Sequence, residues 1–541
     1  MPIGERYAIE KCEARYDVIV IGSGMGGLAA ASLLSKAGKK VLVLERHYTA
    51  GGFTHTYKRK GYEWDVGVHY IGEVLKEKSL VRRMFDYLTD GQLEWAPMGE
   101  VYDRMICGNS QFDFRSGYRE LRADLIARFP EEEQGIRRYF QMIREVKNAT
   151  PLTVAKRMMP LWLRPALWPV SVMGSPNHAE KTTGEVLKEL VKNEELRAIL
   201  ATQWGDCGLP PEQSSFFIHA MIAGHYANGA GYPVGGSSRI AETIEPIVKR
   251  AGGRILVRAE VARILVKHGS AYGVRMANGD QILADKVIST VGVPNTYRHL
   301  LDEHHRNRYG IPNKLDQVKA DGGHLCLYVG LKQSAEALNL PKTNLWIFPS
   351  LDHDANVARY KGDAKAPFPL VYISFPSAKD PDWQRRFPGK STIELVTLAP
   401  YDWFEAWSDK PWLRRGDEYE ALKADFSERL LAHLYERVPQ VKGAVDYFEL
   451  STPLSTQHFC NYARGEIYGL DHVPQRFAQK WLRPKTPIAN LYLGGQDVFV
   501  AGVVGAMTGG LMAGATALGP AVLGLLPKRL GTLPSLLRLF A

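Results

Sequence analysis

The sequence predicts an α/β protein in which a nucleotide-binding βαβ domain is interleaved with a mixed α+β domain. Three observations carry that prediction. A short apolar strand at 16–21 (YDVIVI) runs into glycines, then a helix at 26–37 with small residues Ala29, Ala30 and Ala31, then a second strand at 41–44 (VLVL). Alternating strands return after a long interruption, at 255–266 and 286–290, with an Asn278-Gly279 hairpin signal between them. A further strand at 490–493 (NLYL) leads into a second glycine-rich helix start. Strand, glycine turn, helix and strand in about thirty residues make a Rossmann-like unit.

Composition narrows the class. The 541 residues are 45% hydrophobic and 23% charged, which is globular rather than disordered. The net charge of +10 suits anionic lipid, anionic cofactors or nucleic acid. No compact Lys/Arg run interleaves with aromatics, so nucleic acid is set aside. Cys12, Cys107, Cys207, Cys326 and Cys460 are too widely spaced for a zinc site and too odd in number for a disulfide framework. No metal is expected. The first residues lack an apolar signal region, which predicts a chain that starts in the cytoplasm.

The chemistry begins at a G-x-G-x-x-G turn of Gly22, Gly24 and Gly27, with Ser23, Met25 and Gly26 between them. Such a turn brings backbone to a pyrophosphate and offers it the N–H groups of a helix N-terminus. Glu45 ends the second strand, 21 residues after Gly24, where an acid binds ribose hydroxyls. This much fits NAD and FAD equally.

After Glu45 the chain reads Arg46-His47-Tyr48-Thr49-Ala50-Gly51-Gly52, and near the C-terminus Leu493-Gly494-Gly495-Gln496-Asp497 and Gly502-Val503-Val504-Gly505-Ala506. This Glu-x5-Gly-Gly pattern and its C-terminal counterpart resemble the amine-oxidase and phytoene-desaturase flavoproteins. The resemblance implies FAD rather than NAD. It places cofactor contacts at Gly22, Ser23, Gly24, Met25, Gly26, Gly27, Glu45, Arg46, Gly51, Gly52, Gly67, Val261, Gly495, Asp497, Val504, Gly505 and Ala506. Asp497 falls near the ribityl and pyrophosphate, and 504–506 against the isoalloxazine.

Other segments are more specific. Residues 65–72 (DVGVHYIG), 231–238 (GYPVGGSS), 375–381 (FPSAKDP), 386–389 (RFPG) and 462–472 (YARGEIYGLDH) resemble the retinol saturases, the all-trans-retinol 13,14-reductases. Carotenoid isomerases and desaturases share the first motif but less of these runs. The implied reaction saturates one double bond of a conjugated polyene, with hydride from reduced flavin and a proton from an acid. Candidates for the polar end are His69, Tyr70, His225, Tyr226, Arg464, Glu466, Tyr468 and Asp471. His69, Tyr468, Glu466 and Arg464 form the catalytic set, Tyr468 and His69 first. Each has a plainer reading: His69 and Tyr70 as pocket walls, Arg464 and Glu466 as a structural bridge.

Two rivals stand beside saturation: a carotenoid isomerase or desaturase, and a non-redox isoprenoid carrier like the GDP-dissociation inhibitors. No second dinucleotide unit is visible, so electrons are expected from transient NAD(P)H or a partner protein. The expected segments are FAD-binding parts at 15–80, 231–300 and 466–520, a helical insertion at 81–230, a substrate domain at 301–465 and an amphipathic tail at 521–541. The segment 151–176, rich in Trp, Leu and basic residues, and the tail both suit a membrane interface. The charge-free run 498–527 is long enough to span a bilayer. It starts inside the flavin motif and is cut by Pro520, so peripheral attachment is expected instead.

Overall fold

The computed structural model describes residues 2–158 and 178–521. The tail beyond 521, and residues 159–176 of the interfacial segment, therefore lie outside the described residues.

Two sheets organise the chain. The first has eight strands, in the order Glu5–Arg6, Arg254–Val257, Val41–Leu44, Arg15–Ile21, Gln281–Ser289, Ser270–Met276 and Val261–Lys267, with Leu491–Leu493 also paired to Gln281–Ser289. Its centre is parallel. Val41–Leu44 is buried along its whole length and Arg15–Ile21 over its last four residues. That is why both read as unbroken apolar runs rather than alternating ones. The alternating stretch at 255–266 is two strands, broken where Arg258 takes a φ of +52°. The Asn278-Gly279 hairpin forms as predicted, joining Ser270–Met276 to Gln281–Ser289.

The second sheet has seven strands, in the order Val445–Ser451, His324–Leu331, Ser391–Leu398, Val371–Ser374, Asn344–Phe348, Val101–Cys107 and Ser110–Arg115. Here the expectation of a purely helical 81–230 needs correction. The hairpin at 101–115 crosses into this sheet, because its apolar residues Met105, Phe112 and Phe114 pack into a large core with the helices that follow. Those helices include Glu133–Met158, which runs through Pro151 without ending there.

The two glycine motifs meet at one place. The Met25–Lys36 helix and the Gly502–Leu518 helix cross in backbone contact. A Cβ on Gly510 would lie 2.0 Å from Gly26 O, and one on Gly26 would lie 2.7 Å from Gly495 Cα. The Gly502–Leu518 helix is apolar because most of it packs inside the protein: 61% of its most apolar window is buried. Burial explains a composition that also passes a length test for spanning a bilayer.

Gly510→Val should force the two helices apart. Overpacking on the order of 1–3 kcal/mol should lower the thermal midpoint and the flavin content of the purified protein together. An unchanged midpoint would show that the crossing is not tight.

Candidate active site

The crossing opens onto a cavity of about 730 Å³. Gly22, Gly24, Met25 and Gly26 line one end. A Cβ on Gly27 would fall 2.0 Å from Gly22 O, so the helix closes on the strand only with glycine there. At Gly24, by contrast, a Cβ would meet nothing within 4 Å, since that backbone faces open space. Ser23 fixes the acid beside it: its N–H and hydroxyl donate to Glu45 Oε2 at 2.8 and 2.7 Å. His47 N–H holds the other oxygen at 2.8 Å.

Neither helix facing the cavity has a side-chain cap or an acid in its first turn. Their first N–H groups are therefore free to meet an anion or a carbonyl oxygen. Val503, Val504, Gly505 and Ala506 line the cavity, as do Phe53 and Gly67. Arg46, Gly52, Val261 and Gly495 complete that part.

The far end is built differently. Tyr70, His225, Tyr226 and Asp206 line it, with Met84, Ile218, Ala220 and Met221. Tyr70 and Tyr226 stack at 4.2 Å with planes 9° apart. Behind them lies a buried polar cluster. Asp103 accepts from Tyr70 Oη at 2.9 Å, Gln203 Nε2 at 2.8 Å and Asn344 Nδ2 at 2.9 Å. Lys379 Nζ donates to His69 O at 3.0 Å and Ser374 Oγ at 2.7 Å. Burial pulls this lysine down to about 7 and pushes Glu394 up to about 8.

Asp206 differs from Asp103. Its Oδ2 is shielded from solvent and has no hydrogen-bond partner among the described residues. Burial, then the nearby Asp103 charge, raises its pKa well above the usual carboxylate range. Its charged form is thus disfavoured where it faces an apolar, aromatic space.

With this geometry in view, comparison with known proteins is decisive. The chain matches the flavin containing amine oxidoreductases over residues 25–517. It is 38% identical to a zebrafish all-trans-retinol 13,14-reductase, over 93% of this chain and 86% of that one. The chain belongs to the flavin containing amine oxidoreductase family. The human protein of the same name is 36% identical, covering 94% of this chain and 86% of its own. A second zebrafish relative, 33% identical over 95% of this chain and 87% of its own, is named an inactive all-trans-retinol 13,14-reductase. In fold, the chain is similar to cyclohexylamine oxidase from Brevibacterium oxydans, with a TM-score of 0.58 at 17% identity over 94% of this chain and 99% of that one.

The cavity fits the cofactor of this flavin family, FAD. Uncapped helix starts, the open backbone at Gly24 and the restrained Glu45 match a pyrophosphate and a ribose. Among the predicted contacts Ser23, Gly27, Gly51 and Asp497 do not line the cavity. Asp497 accepts through its two oxygens from Val293 N at 2.7 Å and Leu470 N at 2.9 Å. It shapes the loop at 495–501 from behind. Gly51 lies behind the wall too, at a φ of +126°, donating to Ser23.

The predicted catalytic set divides. His69 and Tyr468 line the cavity. His69 Nδ1 is 2.9 Å from Glu394 Oε2 but off the hydrogen-bond axis, so neither atom is satisfied. Burial and Lys379 push His69 down to about 3, leaving a neutral imidazole. Arg464 and Glu466 are elsewhere, a correction to the predicted set. Arg464 pairs with Asp321 at 3.0 Å and Asp402 at 2.6 Å on the surface. Glu466 folds back onto Arg464 N at 2.9 Å, so the bridge is carboxylate to backbone. Asp471 likewise accepts from Asp321 N. His225 accepts from Gly72 N at 2.8 Å, which uses its free nitrogen structurally. Asp206 escaped the sequence reading. Its only signal was a lone acid in WGDCG, between an apolar helix and Pro210-Pro211.

Glu45→Ala should weaken FAD retention about tenfold or more, the effect of losing hydrogen bonds to a charged group. Flavin absorbance per mole of purified protein, before and after dialysis, measures it. Full retention would remove Glu45 from the cofactor site.

Proposed function

We propose that this flavoenzyme saturates one double bond of a retinoid-class polyene, with Asp206 as the proton source. The observation that carries the reading is a shielded carboxyl oxygen without a hydrogen-bond partner, its charged form disfavoured by burial, in the same cavity that both glycine motifs line. The names of its relatives at 36–38% identity support the choice of polyene. When bound and reduced, the flavin supplies hydride to one alkene carbon. The chain's part is to hold the polyene, exclude water and protonate the other carbon. Asp206 gives up its proton and becomes a carboxylate. Tyr70, hydrogen-bonded to Asp103 and beside Asp206, favours that charged form. His69 is neutral, so its role is to position the polyene with Tyr468 rather than to donate as imidazolium.

An acid whose pKa is raised keeps its proton to higher pH than a free carboxyl. Turnover should therefore fall as rising pH ionises Asp206, at a pH above that of an ordinary carboxylate. The test is anaerobic incubation of reduced, FAD-loaded protein with all-trans-retinol. A product heavier by two hydrogens is expected, and Asp206→Asn should slow its formation about a hundredfold at unchanged flavin content. An isomer of unchanged mass points to the isomerase reading, favoured by 26% identity to prolycopene isomerases. Protein that takes up no FAD would point to a carrier.

The electrons come from NAD(P)H or a partner protein in this reading. The polyene comes from a membrane the protein touches peripherally, helped by its net charge of +10. Sedimentation with anionic lipid vesicles at low salt, lost at high salt, is expected. Equal sedimentation with neutral vesicles would contradict the electrostatic part.

A further inference from the structure

A second cavity, of about 440 Å³, adjoins the first. The two share Arg46, His47 and Glu260 beside the cofactor end, and Phe53, His324 and Phe459 among their other common walls. Nothing in the polyene reaction as described uses this space.

Its lining is cationic and aromatic. Arg59 is neutralised by Glu449, and Lys423 by Glu420 at 3.3 Å. Arg415 is not neutralised. It is only 6% exposed, yet no carboxylate among the described residues lies within 4 Å of it. Its one hydrogen bond is a long 3.4 Å contact to Leu454 O, its guanidinium sits 5.2 Å from the Tyr419 ring, and its Nε has no partner. A buried guanidinium without a counter-ion is costly unless something anionic visits it. Arg258, exposed at the same cavity with Glu260, is in no ion pair within 4 Å among the described residues.

The aromatic part lies at the mouth. Trp412 stacks on His458 at 5.4 Å with planes 14° apart, and Phe459 meets it edge-on at 5.2 Å. Leu413, next along the chain, is 69% exposed and held at a φ of +65°. A bulky side chain in that conformation is a strained outlier, and such strain gathers at ligand sites.

We propose that this second cavity binds a phosphate-bearing nucleotide, with Arg415 holding its phosphate and the Trp412 face its ring. Guanidinium groups pair with phosphate through two parallel hydrogen bonds, and a flat aromatic face suits a base or nicotinamide. The choice of a pyridine nucleotide rests on the reductase reading, which requires a two-electron donor. Binding itself does not depend on that reading.

The experiment titrates FAD-loaded, full-length protein with NADP⁺ by calorimetry, with no polyene present. Saturable binding is expected, weakened by salt and displaced by inorganic phosphate. Arg415→Gln should weaken it about tenfold or more, and Arg258→Gln by less. Should Arg415→Gln fail to fold, Arg415→Lys and the exposed Arg258→Gln carry the test. Absence of binding at millimolar nucleotide, or equal binding by all variants, would overturn the proposal. So would loss of FAD in Arg415→Lys, which would assign Arg415 to the cofactor. Failure of retinol reduction with nucleotide binding intact would instead sink only the polyene reading.

Discussion

Two helices that touch backbone to backbone hold this molecule's site together. Gly26 and Gly510 leave no room for a side chain at the crossing, and Gly509 packs as closely on Gly495. The contact ties the first sixty residues to the last forty, bringing two uncapped helix starts to one cavity. Each supplies unpartnered N–H groups and the positive end of a dipole. A cofactor with a pyrophosphate at one end and carbonyl oxygens at the other meets donors along its length. Long insertions between the motifs are tolerated because the crossing fixes their ends.

The other end of the cavity reverses that logic. Donors and charges there are neutralised by burial rather than offered. Lys379, Glu394 and His69 are all shifted toward their uncharged forms. Asp65 joins them, pushed up to about 7 by burial and by Glu394 while it accepts from Ser237 N and Tyr232 Oη. The segment 65–72 is thereby pinned, and with it His69 and Tyr70. An apolar polyene can enter such a space without stranding charge, and a protonated Asp206 is stable there. The two ends thus suit the two molecules the reaction brings together.

The cofactor half was legible in the sequence because backbone chemistry has strict residue requirements. Gly27 and Gly26 admit nothing larger, so the motif and the structure coincide. Val41–Leu44 could be read to the residue because a strand covered on both faces has one composition. The polar end was less legible. Arg464 and Glu466 stand in a distinctive run, yet that run mostly braces the 495–501 loop from outside. Arg476, for example, donates to Gln496 O, and His472 Nε2 accepts from Ala501 N. Its Tyr462, Ile467 and Tyr468 alone reach the cavity. Asp206 had no motif to announce it; only the fold brings it beside Asp103, a hundred residues earlier. The strands at 101–115 were hidden for a related reason. Val101–Cys107 is anchored in the sheet by Asn344–Phe348, more than two hundred residues away, and no local pattern signals that pairing.

The central claim is that one cavity holds a flavin and a polyene together and passes two electrons between them. Single-turnover spectroscopy tests it most directly: reduced holoprotein is mixed anaerobically with all-trans-retinol, and the flavin and polyene absorbances are followed together. The account predicts that flavin reoxidation and loss of polyene conjugation proceed at one rate, with one polyene consumed per flavin. Polyene that changes while the flavin stays reduced, or flavin that reoxidises with the polyene untouched, would contradict it.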